Sequence, residues 1–236
     1  MEQIEKYMQE LQQWLDDTSN MPLEEMSSFF AKHLDGYEEH MSVWEGSYQK
    51  FASLLPKGCH KILDLGCGTG LELDKIWQNN PHIAVTGVDL CRDMLDKLLE
   101  KHPDKQLTIV CSDYFQYDFG SGSWDAVISF ESLHHFLPKL KKGLYQKIYN
   151  ALEDNGVFIL GDYIACCDRE EELLRNVYLE KRKKFEIPDD KFVHFDIPLT
   201  LEHESELLKN AGFIIEKVLD EPDGATVIVA RKGAGL

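Results

Sequence analysis

Residues 62–70 read Ile-Leu-Asp-Leu-Gly-Cys-Gly-Thr-Gly, a short apolar run that passes straight into three alternating glycines. A run this short and apolar suits a buried parallel strand, and residues 71–78 after it have helical spacing. Glycines at a strand-to-helix turn let the backbone approach a ligand that a Cβ would block. The first N–H groups of the helix lack partners and suit a carboxylate or phosphate. This segment therefore predicts an open α/β sheet with its ligand beyond the carboxyl ends of the strands.

The rest of the chain agrees. Residues 84–89, 107–111, 124–130 and 157–161 read as further strands, separated by amphipathic helices at 92–101 and 139–152, the latter ended by Asn155-Gly156. Strand–helix alternation implies a parallel sheet covered on both faces, and right-handed crossovers make it doubly wound. Residues 168–186 form an extra charged helix. Thr200 caps a helix over 201–210, and strands at 213–219 and 226–230 flank Asp223-Gly224 as an antiparallel hairpin at the sheet edge. The expected fold class is α/β, with a mostly parallel seven-stranded sheet whose last strand is antiparallel. Residues 1–57 read as helical, with a break at Met21-Pro22, a second helix capped by Ser19 or Asn20, and a third from about Asp35 to Leu55. The division expected is 1–57 as a helical cap and 58–236 as the α/β domain, with a helical insertion at about 165–200.

The 236 residues carry 42 acidic and 25 basic side chains, a net charge of −17 that repels nucleic acid at long range. The run Lys181-Arg182-Lys183-Lys184 follows four glutamates on one predicted helix and reads as a charge-balanced face. No apolar stretch is long enough to span a membrane, and the acidic N-terminus does not read as a targeting peptide, so a cytoplasmic location is expected. The six cysteines form no Cys-x-x-Cys pair, and no close His-x-x-x-His or His-x-His pair occurs, so no metal site is expected.

The loop excludes two common ligand classes by its spacing. Leu71-Glu72 stands where an ATP-type loop needs Lys-Ser/Thr, and Leu71 stands where the dinucleotide fingerprint needs a small residue. Asp89 closes the second strand, where a carboxylate can accept hydrogen bonds from both hydroxyls of a ribose. Glycine loop and strand-end acid together predict an adenosine-like ligand.

At this point Asp64-Leu65-Gly66-Cys67-Gly68-Thr69-Gly70 resembles the signature of the class I S-adenosylmethionine-dependent methyltransferases. Asp89 falls on that family's ribose-binding acid, and Ser112-Asp113 on its adenine-facing position. Trp124–Ser129, Ser132-Leu133-His134-His135 and Asn155–Ile159 resemble its later motifs, in family order. The resemblance implies S-adenosylmethionine as cofactor, S-adenosylhomocysteine as product, and a Rossmann-like sheet. It assigns cofactor contacts to Asp64, Gly66, Cys67, Gly68, Gly70, Asp89, Leu90, Ser112, Asp113, Tyr114 and Phe130, with Leu90 and Tyr114 around the adenine. It also implies a helical lid before the first strand, on which Tyr37, His40 and Trp44 are the candidate contacts.

The acceptor side is less determined. Phe130, Glu131, His134, His135, Asp162 and Tyr163 follow the fourth and fifth strands, and His194 precedes the helix at 201. His134, His135 and Asp162 are the candidate catalytic groups, an imidazole being able to take a proton near neutrality. The Asp/Asn-Pro-Pro-aromatic motif of DNA amino-methylating enzymes is absent at Ser129-Phe130-Glu131-Ser132. A small-molecule acceptor is therefore expected in preference to nucleic acid, with no membrane partner and a homodimer admitted. A non-catalytic binding protein and a nicotinamide-dependent oxidoreductase are the rival readings.

Overall fold

A computed structural model of the chain describes residues 2–233. Seven strands, β1 (Lys61–Leu65), β2 (Ala84–Asp89), β3 (Leu107–Cys111), β4 (Trp124–Phe130), β5 (Leu152–Asp162), β6 (Phe213–Asp220) and β7 (Thr226–Lys232), form one sheet in the order β3-β2-β1-β4-β5-β7-β6. All neighbours are parallel except at β7, which runs antiparallel to both β5 and β6. The expected doubly wound sheet with one antiparallel strand is what forms. Strand order reverses between β1 and β4, which opens a crevice beyond their carboxyl ends.

Alternate residues of each strand feed opposite cores. Ile62, Val85, Ala126, Ile128 and Ile159 pack with Phe51, Leu73, Ile76, Leu95 and Leu98 of α4 (Glu45–Ser53), α5 (Leu71–Asn79) and α6 (Arg92–Lys101). Leu63, Leu65, Val127 and Phe158 pack with Leu144, Tyr145, Ile148 and Leu208 of α7 (Pro138–Ala151) and α9 (Leu201–Asn210). Burial on both faces is the physical reason these strands read as unbroken apolar runs.

The N-terminal helices differ from expectation in detail. After α1 (Glu2–Asp17), α2 covers only Met26–Lys32, and its cap is Glu25, whose carboxylate accepts from the N–H groups of Ser27 and Ser28, rather than Ser19 or Asn20. The single helix expected from Asp35 is broken into α3 (Tyr37–Met41), a 3-10 turn at Ser42–Trp44, and α4. Asn155-Gly156 does not end α7, which stops at Ala151. Leu152 already pairs with Trp124, and Asn155 takes φ 64° as a kink inside β5.

Helix α8 (Asp168–Lys184) joins α1 in a third apolar cluster, in which Leu15 meets Leu174, Tyr178, Phe195 and Ile197. The basic run at the end of α8 is spent here. Lys181 donates to the carbonyls of Thr18 and Met21, Lys184 to that of Ser19, and Arg182 to that of Lys191. The segment Glu24-Glu25 pairs with Val193-His194 as a short antiparallel bridge. Helix α1 and helix α8, distant in sequence, thus pack together. Among the described residues no helix is long and apolar enough to cross a membrane.

Candidate active site

The glycine turn follows β1 at the crevice. Gly66 (φ 77°) donates its N–H to Val88 O at 2.8 Å, and Gly68 (φ 48°) donates to Asp89 Oδ2 at 3.0 Å. Both sit in the left-handed region that glycine tolerates best. A Cβ on Gly66 would stand 2.1 Å from Ser132 Oγ, whereas one on Gly68 would meet nothing nearer than Tyr37 Oη at 3.9 Å and would project into open groove. Asp89 also accepts from Cys91 N at 2.7 Å, so its carboxylate fixes the turn and still has lone pairs free.

Asp64 ends fully buried below this turn, and neither of its carboxyl oxygens has a hydrogen-bond partner. Burial, then the nearby Glu72 carboxylate, push it well above the ordinary carboxylate range. Burial pushes Glu72 up to about 7. A buried, unpartnered acid of this kind is a vacant acceptor for a cationic or N–H group.

A groove runs from the turn between Leu90, Met94, Tyr114 and Phe136, with Asp89, Phe130 and Glu131 on its walls. Leu90, Tyr114, Asp89, Gly66, Gly68 and Phe130 therefore line one groove, while Cys67 and Gly70 line a small neighbouring space with Glu72. Met94 on α6 and Phe136 in the extended stretch before α7 were not foreseen, since an apolar residue carries no sign of which neighbour it will face. Ser112 and Asp113 lie just after the end of β3, outside the groove. They line neither space, and the Asp113 carboxylate turns back to accept from Phe115 N at 2.7 Å, closing a tight turn after β3.

Beside the groove lies a cavity of about 680 Å³ walled by Phe29, Phe30, Tyr37, His40 and Trp44 on one side and Glu131, His134, His135, Tyr163, His194 and Asp196 on the other. The two spaces share Phe30, Tyr37, Glu131 and His135. Lys101 sets the position of α3, donating to Glu38 Oε1 at 2.9 Å, to the glycine-loop carbonyl of Thr69 at 3.0 Å and to Asp74 Oδ2 at 3.2 Å. Phe29 stacks on His194 with ring centroids 3.6 Å apart.

The titratable groups of the cavity form one network. His134 Nδ1 lies 2.6 Å from Asp162 Oδ1, and its Nε2 lies 3.5 Å from Asp196 Oδ1. Burial works to lower His134, but the Asp162 and Asp196 carboxylates outweigh it and raise it well above the ordinary range. Burial and the neighbouring His134 lower His135, and burial brings His194 down to about 4. Burial pushes Glu131 up to about 8. Glu131 has φ 48°, a conformation rare outside glycine and costly enough to mark a constrained site. Asp162 does not cap a helix; it faces His134 instead. Asp196 was passed over although it stands beside His194, because only the return of the 193–197 segment over the sheet brings it to His134.

Residues 62–156 match a family described as a methyltransferase domain. A carboxy-S-adenosyl-L-methionine synthase of Nautilia profundicola is 26% identical over 80% of this chain and 85% of its own length. One from Nitratiruptor is 28% identical over 89% of this chain and 92% of its own. Among solved structures, human N-acetylserotonin methyltransferase, in complex with S-adenosylmethionine, superposes with a TM-score of 0.63 at 19% identity, covering 89% of this chain and 57% of its own. Phosphoethanolamine N-methyltransferase 2 of Haemonchus contortus does so with a TM-score of 0.56 at 23% identity, covering 74% and 38%.

Proposed function

We propose that the chain is a class I S-adenosylmethionine-dependent methyltransferase and that it methylates a small molecule held in the cavity beside the cofactor groove. One observation carries the reading: Phe30, Tyr37, Glu131 and His135 wall both spaces, so an acceptor in the cavity borders the cofactor directly.

The residues fit the cofactor. Asp64 is a buried acid without a partner, suited to an amino group. Asp89 keeps lone pairs for a ribose, and Leu90, Met94, Tyr114 and Phe136 form an apolar slot for a base. The open space over Gly68 gives a carboxylate room to approach the N-terminus of α5. Bound there, S-adenosylmethionine supplies a methyl group activated by a sulfonium.

The chain's own work is positioning. Asp162 fixes the ring of His134, while His135 presents a neutral imidazole to the cavity. These groups would hold the acceptor's oxygen or nitrogen at the groove, where orientation alone contributes much of the rate. Phe29, Phe30, Tyr37, His40 and Trp44 would act as the lid that keeps water from the reaction.

The names of the sequence relatives support a second reading, in which the cofactor itself is carboxylated. Among the described residues no lysine or arginine side chain lines either space, so a carboxylate donor would meet Glu131, Asp196 and imidazoles rather than a lysine or arginine. Calorimetry with S-adenosylmethionine, S-adenosylhomocysteine and NAD tests the cofactor. Incubation with label in the cofactor methyl group, in the presence of metabolite extract or of RNA, tests the acceptor. Label in small molecules with S-adenosylhomocysteine released supports methyl transfer. A carboxylated cofactor, label in RNA, or tight binding without turnover would each overturn it.

A further inference from the structure

The cavity wall carries an arrangement that positioning alone does not require. Asp196 Oδ1 stands 3.2 Å from His135 Nδ1 and 3.5 Å from His134 Nε2. Donors bound at about 2.0–2.1 Å to one tetrahedral ion lie about 3.3 Å apart, so these separations match the edges of such a site. The second nitrogen of His134 meets Asp162 Oδ1 at 2.6 Å, as a metal-bound imidazole meets the outer carboxylate that orients it. The carbonyl oxygen of Phe195, 3.3 Å from His135 Nδ1, adds a neutral oxygen at the same place.

Charge balance points the same way. Glu131, Asp162 and Asp196 gather around His134, with Asp162 fully buried and Glu131 nearly so. No lysine or arginine among the described residues lines the cavity beside them. Buried carboxylates in excess are stable when they are protonated, paired or held to a metal.

We propose that His134 Nε2, His135 Nδ1 and Asp196 Oδ1 bind one divalent transition-metal ion, with Asp162 as the outer carboxylate and an open position toward the cavity. Two imidazoles and one carboxylate form a donor set suited to zinc and its first-row neighbours. Sequence spacing conceals it, because the donors lie at 134–135 and 196 and meet only through the fold. The open position would take an oxygen or nitrogen of the acceptor and draw it to the methyl group. That use rests on the methyl-transfer reading; the binding does not.

The test uses the full chain, stripped with chelator and dialysed. Titration with Co²⁺ followed by absorption, and with Zn²⁺ by calorimetry, should show one ion per chain, tetrahedral Co²⁺ bands, displacement by Zn²⁺ and release of protons on loading. Asp196→Asn and His135→Ala should lose saturable binding. Asp162→Asn should weaken it about 10- to 100-fold. His203→Ala, an exposed position paired with Glu171, should leave it unchanged. Circular dichroism of each variant separates lost binding from lost fold. Absence of saturable binding in the wild-type chain, or binding abolished by Cys166→Ser yet kept by Asp196→Asn, would overturn the site. Intact Co²⁺ binding in a protein that transfers no methyl group would overturn the functional reading alone.

Discussion

His134 and Asp162 stand 28 residues apart in sequence and 2.6 Å apart in space, joined because β4 and β5 are parallel neighbours that end side by side. The contact fixes both the tilt of the imidazole and the nitrogen that faces the cavity. Asp162→Asn keeps the size of the side chain and removes its charge. It is expected to lower kcat about 10- to 100-fold while leaving the cofactor Kd unchanged. Steady-state kinetics beside calorimetry check this, and a matched loss of cofactor affinity would place Asp162 in the fold of the groove instead.

Asp89 serves the loop as well as the ligand. It accepts from Gly68 N and Cys91 N, so Asp89→Ala removes both a loop anchor and a ribose partner. The expected loss of S-adenosylmethionine affinity is about 1.5–3 kcal/mol, the range for a hydrogen bond to a charged group. Asp89→Asn retains an acceptor oxygen and should lose less. Equal affinity of Asp89→Ala and the wild type in calorimetry would remove the ribose assignment.

The cofactor half of the site was legible because it is local. Strand β1, the glycines and the acid of β2 lie in one stretch of chain, and each residue type has a backbone or charge reason to be there. The acceptor half was legible only in part. His134, His135 and Asp162 follow strands and so fall on the crevice by rule. Asp196 reaches them through the Glu25–Val193 bridge and the packing of α1 on α8, which are tertiary events without a local signature. Asp113 differs in kind, since its carboxylate accepts from Phe115 N two residues on, a local turn after β3.

Gly66 has two separable constraints. Its φ of 77° costs an L-residue about 1–2 kcal/mol, and a Cβ there would overlap the side chain of Ser132, which adds about 1–3 kcal/mol of crowding. Gly66→Ala should therefore destabilise the fold, and Gly66→Ala/Ser132→Gly should recover the crowding but not the backbone cost. Urea unfolding of the two variants beside Ser132→Gly separates them. Full recovery in the double variant would show that the backbone adds no strain.

Leu15 is the buried anchor of α1 against Leu174 and Tyr178. Leu15→Ala should cost about 2–5 kcal/mol, concentrated in the cap and not in the sheet. Hydrogen exchange should rise in α1 and α8 and stay low in β1 and β4. If the cap holds the groove closed, release of S-adenosylhomocysteine should quicken in the same variant. A stopped-flow off-rate equal to the wild type would leave α1 a structural brace only.

Glu72 gives the unliganded protein a dependence on pH whose sign follows from its burial. Its carboxyl is raised from 4.5 to about 7, so between these values the folded chain holds a proton that the unfolded chain has released. Stability then falls as pH rises through this window, by up to about 3 kcal/mol, since each pKa unit is worth about 1.4 kcal/mol. The direction is opposite to that of a salt-bridged acid. The melting temperature should decline from about pH 5 to about pH 8, and Glu72→Gln, which cannot ionise, should make that decline shallower, with Asp64 and Glu131 keeping their share of it. S-adenosylmethionine, whose amino group favours ionised acids at Asp64 and Glu72, should bind more tightly at the upper end of the window and release protons as it does so. Calorimetry in buffers of different ionisation enthalpy measures that release. Its absence, with an unchanged slope in Glu72→Gln, would show that Glu72 stays ionised in the fold.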